Sequence, residues 1–392
     1  MVMKNINVHI PEYLMKIVAD IDHHEIERRK ETMRRIYNYQ RVDHIPIHVW
    51  IEDLSDHTLR AQCESGEIQF EANVNAINRC LKTLPDDYIP YARVWPGYIT
   101  IGTMFGIEPH WSDDLNQAPG LIEHPISDMS QVYDLEMPDP KTAGFMPFNL
   151  TWLKYFHENL PRDVYLTGID LGGPMNTCKD LLDTNLLYYA FYDSPQEFHY
   201  LLDKVTDLQI ACYEEIIRAV GGDINRLTGI DFDQVWAPEG RKGFVSDDVC
   251  ASFGPEIFDE FSKPYNNRIF RKYGGGRLHN CGPNPAIDRY IDHEPEIKGL
   301  NCAFKYSFVD LPRIKEAFKG QGLVEFNFDC GETFDEIVEG YEAIAHGLAP
   351  DVIAMPLLYL DKTWDDDAIT EVYLALRNIS ERYAREMNWI GE

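Results

Sequence analysis

Apolar residues fall into two rhythms along the chain. Residues 11–38 are charged, with Leu14, Ile17, Val18 and Ile21 at helical spacing, and predict an N-terminal helical arm. From residue 43 onward, short β-rich runs alternate with longer amphipathic segments, the pattern of βα units feeding a parallel sheet. The runs are HIPIHVW (44–50), YARVWPGYITI (91–101), DVYLTGID (163–170), RKGFVSDD (241–248), GRLHNC (276–281), IKGLNC (297–302), GLVEFNF (322–328) and DVIAMP (351–356). Helices are predicted between them over 194–220, 255–273 and 332–348. Ser194 is placed to cap the first, Gly221–Gly222 to stop it, and Pro255 to open the second. Eight strands, each followed by helical material, predict an α/β fold, a (β/α)8 TIM barrel over 41–392 with an N-terminal helical extension over 1–40. The second strand is the least regular, because Pro96 interrupts it. No Gly-rich dinucleotide fingerprint follows an early strand, which disfavours an open doubly wound sheet.

Composition narrows the function classes. With 44% hydrophobic and 12% aromatic residues the chain can bury a large core, so it is not mainly disordered. Its 36 Lys+Arg against 65 Asp+Glu give a formal charge of −29, which argues against nucleic acid and against an anionic membrane surface as partners. No stretch approaches the roughly 18 apolar residues of a membrane span. The N-terminus lacks the apolar core of a signal peptide, and eight Cys in 392 residues are too sparse for a disulfide scaffold. A cytoplasmic protein is expected.

In a barrel the chemistry gathers at the C-terminal strand ends, here Asp170, Asp247, Asp248, His279, Cys281, Cys302, Cys330 and Met355. The sharpest motif is His279-Asn280-Cys281-Gly282. Residues i and i+2 on a strand share a face, so imidazole and thiol can converge on one Zn²⁺. Core packing is the competing reading of any one Cys. For a third ligand Cys330, just past Asp329 in the DCGET loop, is preferred, with Cys302 as the alternative. Asp170, in GIDLGGP, and Asp248, in VSDDVC, are candidates for a general base or for binding a substrate cation or hydroxyl, against helix capping as the structural alternative. Trp95, Tyr98, Phe105, Trp236, Tyr306 and Tyr359 are candidates for pocket lining or core. Serine nucleophile elbows, P-loops and the HExxH motif are absent.

Several segments together are similar to the uroporphyrinogen decarboxylase-like superfamily. They are RVDHIPIHVW (41–50), GGPMNTCKDLL (172–182), DSPQEFHYLLDKVTD (193–207), SDDVCASFGPEIFDEFSKPY (246–265), LHNCG (278–282) and ETFDEIVEGYEAIAHGL (332–348). The resemblance implies a (β/α)8 barrel and lies closer to the corrinoid-dependent methyltransferase branch than to the haem-pathway decarboxylase. The decarboxylase pattern has an Arg-rich segment after the opening strand, where this chain has IEDLSDHTLRAQCE (51–64) with Arg60 alone. The methyltransferase branch implies zinc on His279, Cys281 and a further Cys near the final strand. DVIAMPLLYLDKT (351–363) has no Cys, so Cys330, Cys302, or a carboxylate such as Asp351 or Glu325 would substitute. The implied activity is transfer of a methyl group from methylcobalamin, carried by a corrinoid partner protein, to a zinc-activated thiol or to tetrahydrofolate, with Asp170 and Asp248 orienting a small-molecule acceptor. The alternatives are a decarboxylase of a porphyrinogen or smaller carboxylate, and a non-catalytic corrinoid- or tetrapyrrole-binding barrel. The N-terminal arm is suited to a homodimer.

Overall fold

The structure, a computed structural model, describes residues 21–291, 297–328 and 332–390. Every expected β-rich run contains a strand: β1 (His48–Ile51), β2 (Tyr91–Ala92), β3 (Tyr165–Leu166), β4 (Gly243–Ser246), β5 (Gly276–His279), β6 (Ile297–Ala303), β7 (Leu323–Phe328) and β8 (Ile353–Leu360). Six of them form one parallel sheet in the order β1-β8-β7-β6-β5-β4, and β2 pairs with β3 in a second parallel sheet. The two sheets meet through residues 227–230. Leu166 bridges Leu227 in parallel, and the Ile230 N–H donates to the Lys242 carbonyl at 2.7 Å. On the other side no ladder joins β1 to β2 among the described residues, and the Trp50 and Tyr91 rings meet there at 5.0 Å. The expected α/β parallel architecture is therefore present, with a six-stranded sheet in place of a continuous ring of eight.

The interruption at β2 has a local cause. Past Ala92, side chains of the helix Gly66–Thr83 take over the role of a neighbouring strand. The Arg93 N–H donates to Asn73 Oδ1 (2.9 Å) and Asn73 Nδ2 donates back to the Arg93 carbonyl (3.0 Å). Gln69 repeats the exchange two residues on, accepting from the Trp95 N–H at 2.8 Å and donating to the Trp95 carbonyl at 3.0 Å. Such amide pairs satisfy a buried backbone as a ladder does. The run expected to extend over 91–101 then ends at Pro96, and Thr100–Met104 is helical instead.

Of the expected arm, residues 1–20 lie outside the described residues. The helix His23–Tyr37 follows, capped by Asp22, whose carboxylate accepts from the His24 N–H at 2.9 Å, and it buries Ile26, Met33, Ile36 and Tyr37. The helix Pro195–Ala219 matches its expected bounds and is followed by Gly221 and Gly222 at φ +84° and +83°, a conformation costly for other residues. Ser194 makes no side-chain capping bond there, contrary to expectation. The helical stretch expected over 255–273 contains a π turn at Phe258–Ser262 before Lys263–Tyr273, because Pro264 has no N–H to offer the preceding turn. Phe334–Leu348 opens with a Thr333/Glu336 capping box. Among the described residues no helix is long and apolar enough to cross a membrane.

Inside the sheet, Arg277 of β5 is fully buried and ion-paired to both Asp233 and Glu325, and it donates to the Val235 carbonyl at 3.1 Å. Gly299, its register partner on β6, provides the room. A Cβ there would collide with Arg277 Cγ.

Candidate metal centre and pocket

Period-two alternation builds the site along β5. Arg277, His279 and Cys281 occupy alternate positions, so the guanidinium lies within the sheet, the imidazole above it and the thiol at the mouth. His279 Nε2 is 3.3 Å from Cys281 Sγ and 3.3 Å from Asp248 Oδ1. Asp248 follows β4, the register neighbour of β5. It also accepts from the Cys281 N–H at 3.2 Å. Asn176, on the helix Pro174–Leu181 after β3, grips it from the other side. Asn176 Nδ2 donates to Asp248 Oδ2 at 2.9 Å and Asn176 Oδ1 accepts the Asp248 N–H at 3.0 Å.

The orientation of His279 is dictated from inside the sheet. Glu325, ion-paired to Arg277, can only accept, so Asn301 turns its Nδ2 toward Glu325 Oε2 (3.0 Å). Asn301 Oδ1 then faces His279 Nδ1 at 2.7 Å, which makes Nδ1 the donor and leaves Nε2 directed at Asp248 and Cys281. Metal-binding imidazoles are commonly held in this way by a second partner.

Burial disfavours charge on both His279 and Asp248, but their mutual attraction prevails. Asp248, with the Cys281 thiol, raises the imidazole well above its ordinary value, and the imidazole and the Cys281 amide hold the Asp248 carboxyl well below the usual carboxylate range. One ligand atom from each of Asp248, His279 and Cys281 lies within 4.8 Å of the other two. A mixed N/S/O donor set of this size suits Zn²⁺, which would replace the imidazolium proton on binding.

Asp170, in the segment that follows β3, is 6% exposed and accepts from Trp95 Nε1 and from the Gly172 N–H, both at 3.3 Å. Burial, with Asp248 adding to it, pushes its carboxyl up to about 6 despite those two donors. Asp170, Asp248, His279 and Cys281 line one cavity of about 970 Å³, a volume in the range of small-molecule sites. Of the aromatic candidates, Trp95, Tyr98 and Tyr359 line it, whereas Phe105, Trp236 and Tyr306 do not.

Cys330 lies outside the described residues. Cys302 does not join the cluster. It is one residue out of phase with Asn301, fully buried on the opposite face of β6, and burial pushes its thiol up to about 12. Glu325 is engaged by Arg277, and Asp351 sits near Lys315 and Lys319 away from the cavity. Asp247 is buried, accepts from Asn266 Nδ2 at 2.8 Å and does not line the cavity. Among the described residues, the group that meets His279 and Cys281 is the carboxylate of Asp248, which the sequence had marked as an acid–base or orienting group. Sequence reasoning missed Asn301, Asn176 and Arg93. The signal for Asn301 was its place beside His279 in adjacent strand ends.

A family model for uroporphyrinogen decarboxylase (URO-D) matches residues 28–227, just over half of the chain. The chain belongs to the URO-D family. The match spans β1 to β3, with Asp170 and Asn176, while Asp248, His279 and Cys281 lie C-terminal to it. No curated protein matches the chain significantly. Among solved structures, a methyltransferase from Methanosarcina mazei superposes with a TM-score of 0.67 at 16% identity, covering 89% of this chain and 98% of that one. This URO-D family member therefore shares the fold of that protein over nearly its whole length.

Proposed function

We propose that the protein is a methyltransferase that moves a methyl group from a methylcorrinoid carried on a partner protein to a zinc-activated thiol, with tetrahydrofolate as the second acceptor class. The observation that carries this reading is the convergence of Asp248, His279 and Cys281 at the mouth of the cavity. Zinc held there would lower the pKa of a coordinated thiol and supply a nucleophile at neutral pH.

The chain's own groups account for the rest. Asn301 keeps His279 Nε2 directed outward, and Asn176 fixes the Asp248 carboxylate. Asp170 lines the same cavity with a carboxyl poised near 6, suited to take the proton released by an acceptor. Trp95, Tyr98 and Tyr359 supply the apolar faces that exclude water. Turnover of a porphyrinogen fits less well, because of the cationic groups lining the cavity, Arg93, Lys179 and His279, Lys179 is paired with Asp180 at 3.2 Å and His279 with Asp248 at 3.3 Å. A closed (β/α)8 arrangement, with the strand ends ringing the cavity, goes with this reading.

The deciding experiment is elemental analysis of the purified protein without added metal, followed by methylcobalamin turnover with a panel of thiols and with tetrahydrofolate. About one zinc per chain together with thiol methylation supports the proposal, as a structural expectation for a three-ligand catalytic site. Cobalamin binding without turnover selects the non-catalytic reading, and porphyrinogen consumption selects the decarboxylase.

Single residues of the site separate the roles. Cys281→Ser is expected to lose the metal, whereas Cys302→Ser, on the far face of β6, keeps it. Equal metal contents in the two variants would contradict the assignment. For Asp170, a raised pKa means that the base form is lost as pH falls through about 6, so the rate should rise with pH across that point. Asp170→Asn should remove that acidic limb and lower kcat by about 10²–10⁴-fold, the usual contribution of a positioned base. A limb unchanged in the variant assigns it to another group.

A further inference from the structure

Arg93 is the one cation lining the cavity that has no carboxylate partner among the described residues. Its backbone is pinned on both sides by Asn73, and Trp95, two residues on, is pinned by Gln69, so the two side chains lie on one face of a fixed segment. The guanidinium sits among aromatic rings, 5.3 Å from the centre of Trp95, 5.8 Å from Trp50 and 6.0 Å from Tyr359. Its hydrogen bond is from Nη1 to the Tyr359 hydroxyl at 3.2 Å, an oxygen that also accepts from Gln234 Nε2.

A guanidinium carries five N–H donors in a planar fork, and aromatic faces offset its charge without accepting those hydrogens in line. Buried arginines of this fold are compensated, Arg277 by two carboxylates and Arg226 by the carbonyls of Leu160, Pro161 and Arg162. Arg93 has the Tyr359 hydroxyl and, among the described residues, no carboxylate, and it faces the cavity that holds Asp170 and the Asp248–His279–Cys281 cluster.

We infer that Arg93 is an anion subsite that holds a single carboxylate-like group on the small molecule occupying this cavity. This rests on the cavity being the acceptor site and sharpens that reading, since the acceptor becomes a monoanion whose reacting end lies toward Cys281. The fork of Arg93 would receive the anion bidentately, with the Trp95 ring fixing its plane. One such cation matches one anionic group, as on a small thiol acceptor; of the two carboxylates of tetrahydrofolate it would hold one, and further carboxylates inside the cavity would meet Asp170 and Asp248.

The test uses butyrate and butyramide, which have the same shape and differ in charge, titrated into the purified protein by ligand-observed NMR and calorimetry at pH 7.5. Wild type is expected to bind butyrate about 10-fold or more tighter than butyramide, the scale of a charge-assisted bidentate contact. Arg93→Gln should abolish the preference, and Arg93→Lys, which keeps the charge and loses the fork, should retain part of it. Equal affinities in wild type, or binding of neither probe, overturn the inference without any variant being needed. A preference that survives in Arg93→Gln places the anion elsewhere, for instance at the His279 cluster, and overturns it as well. Neither probe carries a thiol or accepts a methyl group, so failure of the methyltransferase reading leaves this result intact, and the reverse also holds.

Discussion

Replacing His279 with alanine should take bound zinc from about one per chain to background, the largest change in metal content expected from any single residue. His279 Nε2 lies within 3.3 Å of both other donors, so its loss leaves Cys281 and Asp248 without the group that holds them at a common point. The variant also strands Asn301 Oδ1, which then retains Asn327 Nδ2 at 3.1 Å as its donor. Elemental analysis of the wild type, His279→Ala and Cys63→Ser decides the matter. Cys63, buried in the helix Leu59–Glu64, does not itself line the cavity and should retain the metal. Stoichiometric zinc in His279→Ala would sink the ligand assignment.

The second large effect concerns stability. Arg277→Leu leaves Asp233 and Glu325 buried together with no compensating charge, and removing one partner of a buried ionic group typically costs about 3–5 kcal/mol. Urea unfolding should show a correspondingly lower midpoint. Combining Arg277→Leu with Asp233→Asn and Glu325→Gln should recover much of the loss, because desolvated uncompensated charge is the dominant penalty. A single variant within about 1 kcal/mol of wild type, the range of ordinary surface changes, would show that the triad is dispensable. The charge-neutral combination carries a further consequence. The amide introduced by Glu325→Gln would be able to donate, so Asn301 would no longer be forced to present its oxygen to His279. Metal affinity should then weaken by about 10–100-fold even where stability returns.

The alternation of apolar runs with amphipathic segments was enough to locate all eight strands, because each run carries its own periodicity and its own turn signals. Their lengths and pairing were less legible. β2 is two residues long because amides of a helix, not a neighbouring strand, satisfy Arg93 and Trp95, and that exchange depends on tertiary proximity absent from the local pattern. In the site, His279 and Cys281 were readable from strand phase alone. The same rule, applied one strand over, would have set Cys302 aside, since its neighbour Asn301 occupies the inward phase. Asp248 was recognised as a candidate functional carboxylate, but its 3.3 Å approach to His279 was not legible, because it joins two strand ends far apart in sequence. The subsite proposed at Arg93 was invisible in a chain of net charge −29, because it rests on which groups surround the guanidinium and not on the residue itself.

The anchoring of His279 from within the sheet bears on how such a site can diversify. The imidazole takes its aim from Asn301, Glu325 and Arg277, all on strands, while the residues that meet it at the mouth lie past the strand ends, Asp248 after β4 and Cys281 after β5. A loop can therefore trade one donor for another, sulfur for oxygen, without disturbing the element that aims the nitrogen. Floor and rim of the site are thus set by different parts of the chain, so a substitution at the rim can change the chemical softness of the groups around His279 while its aim stays as it is.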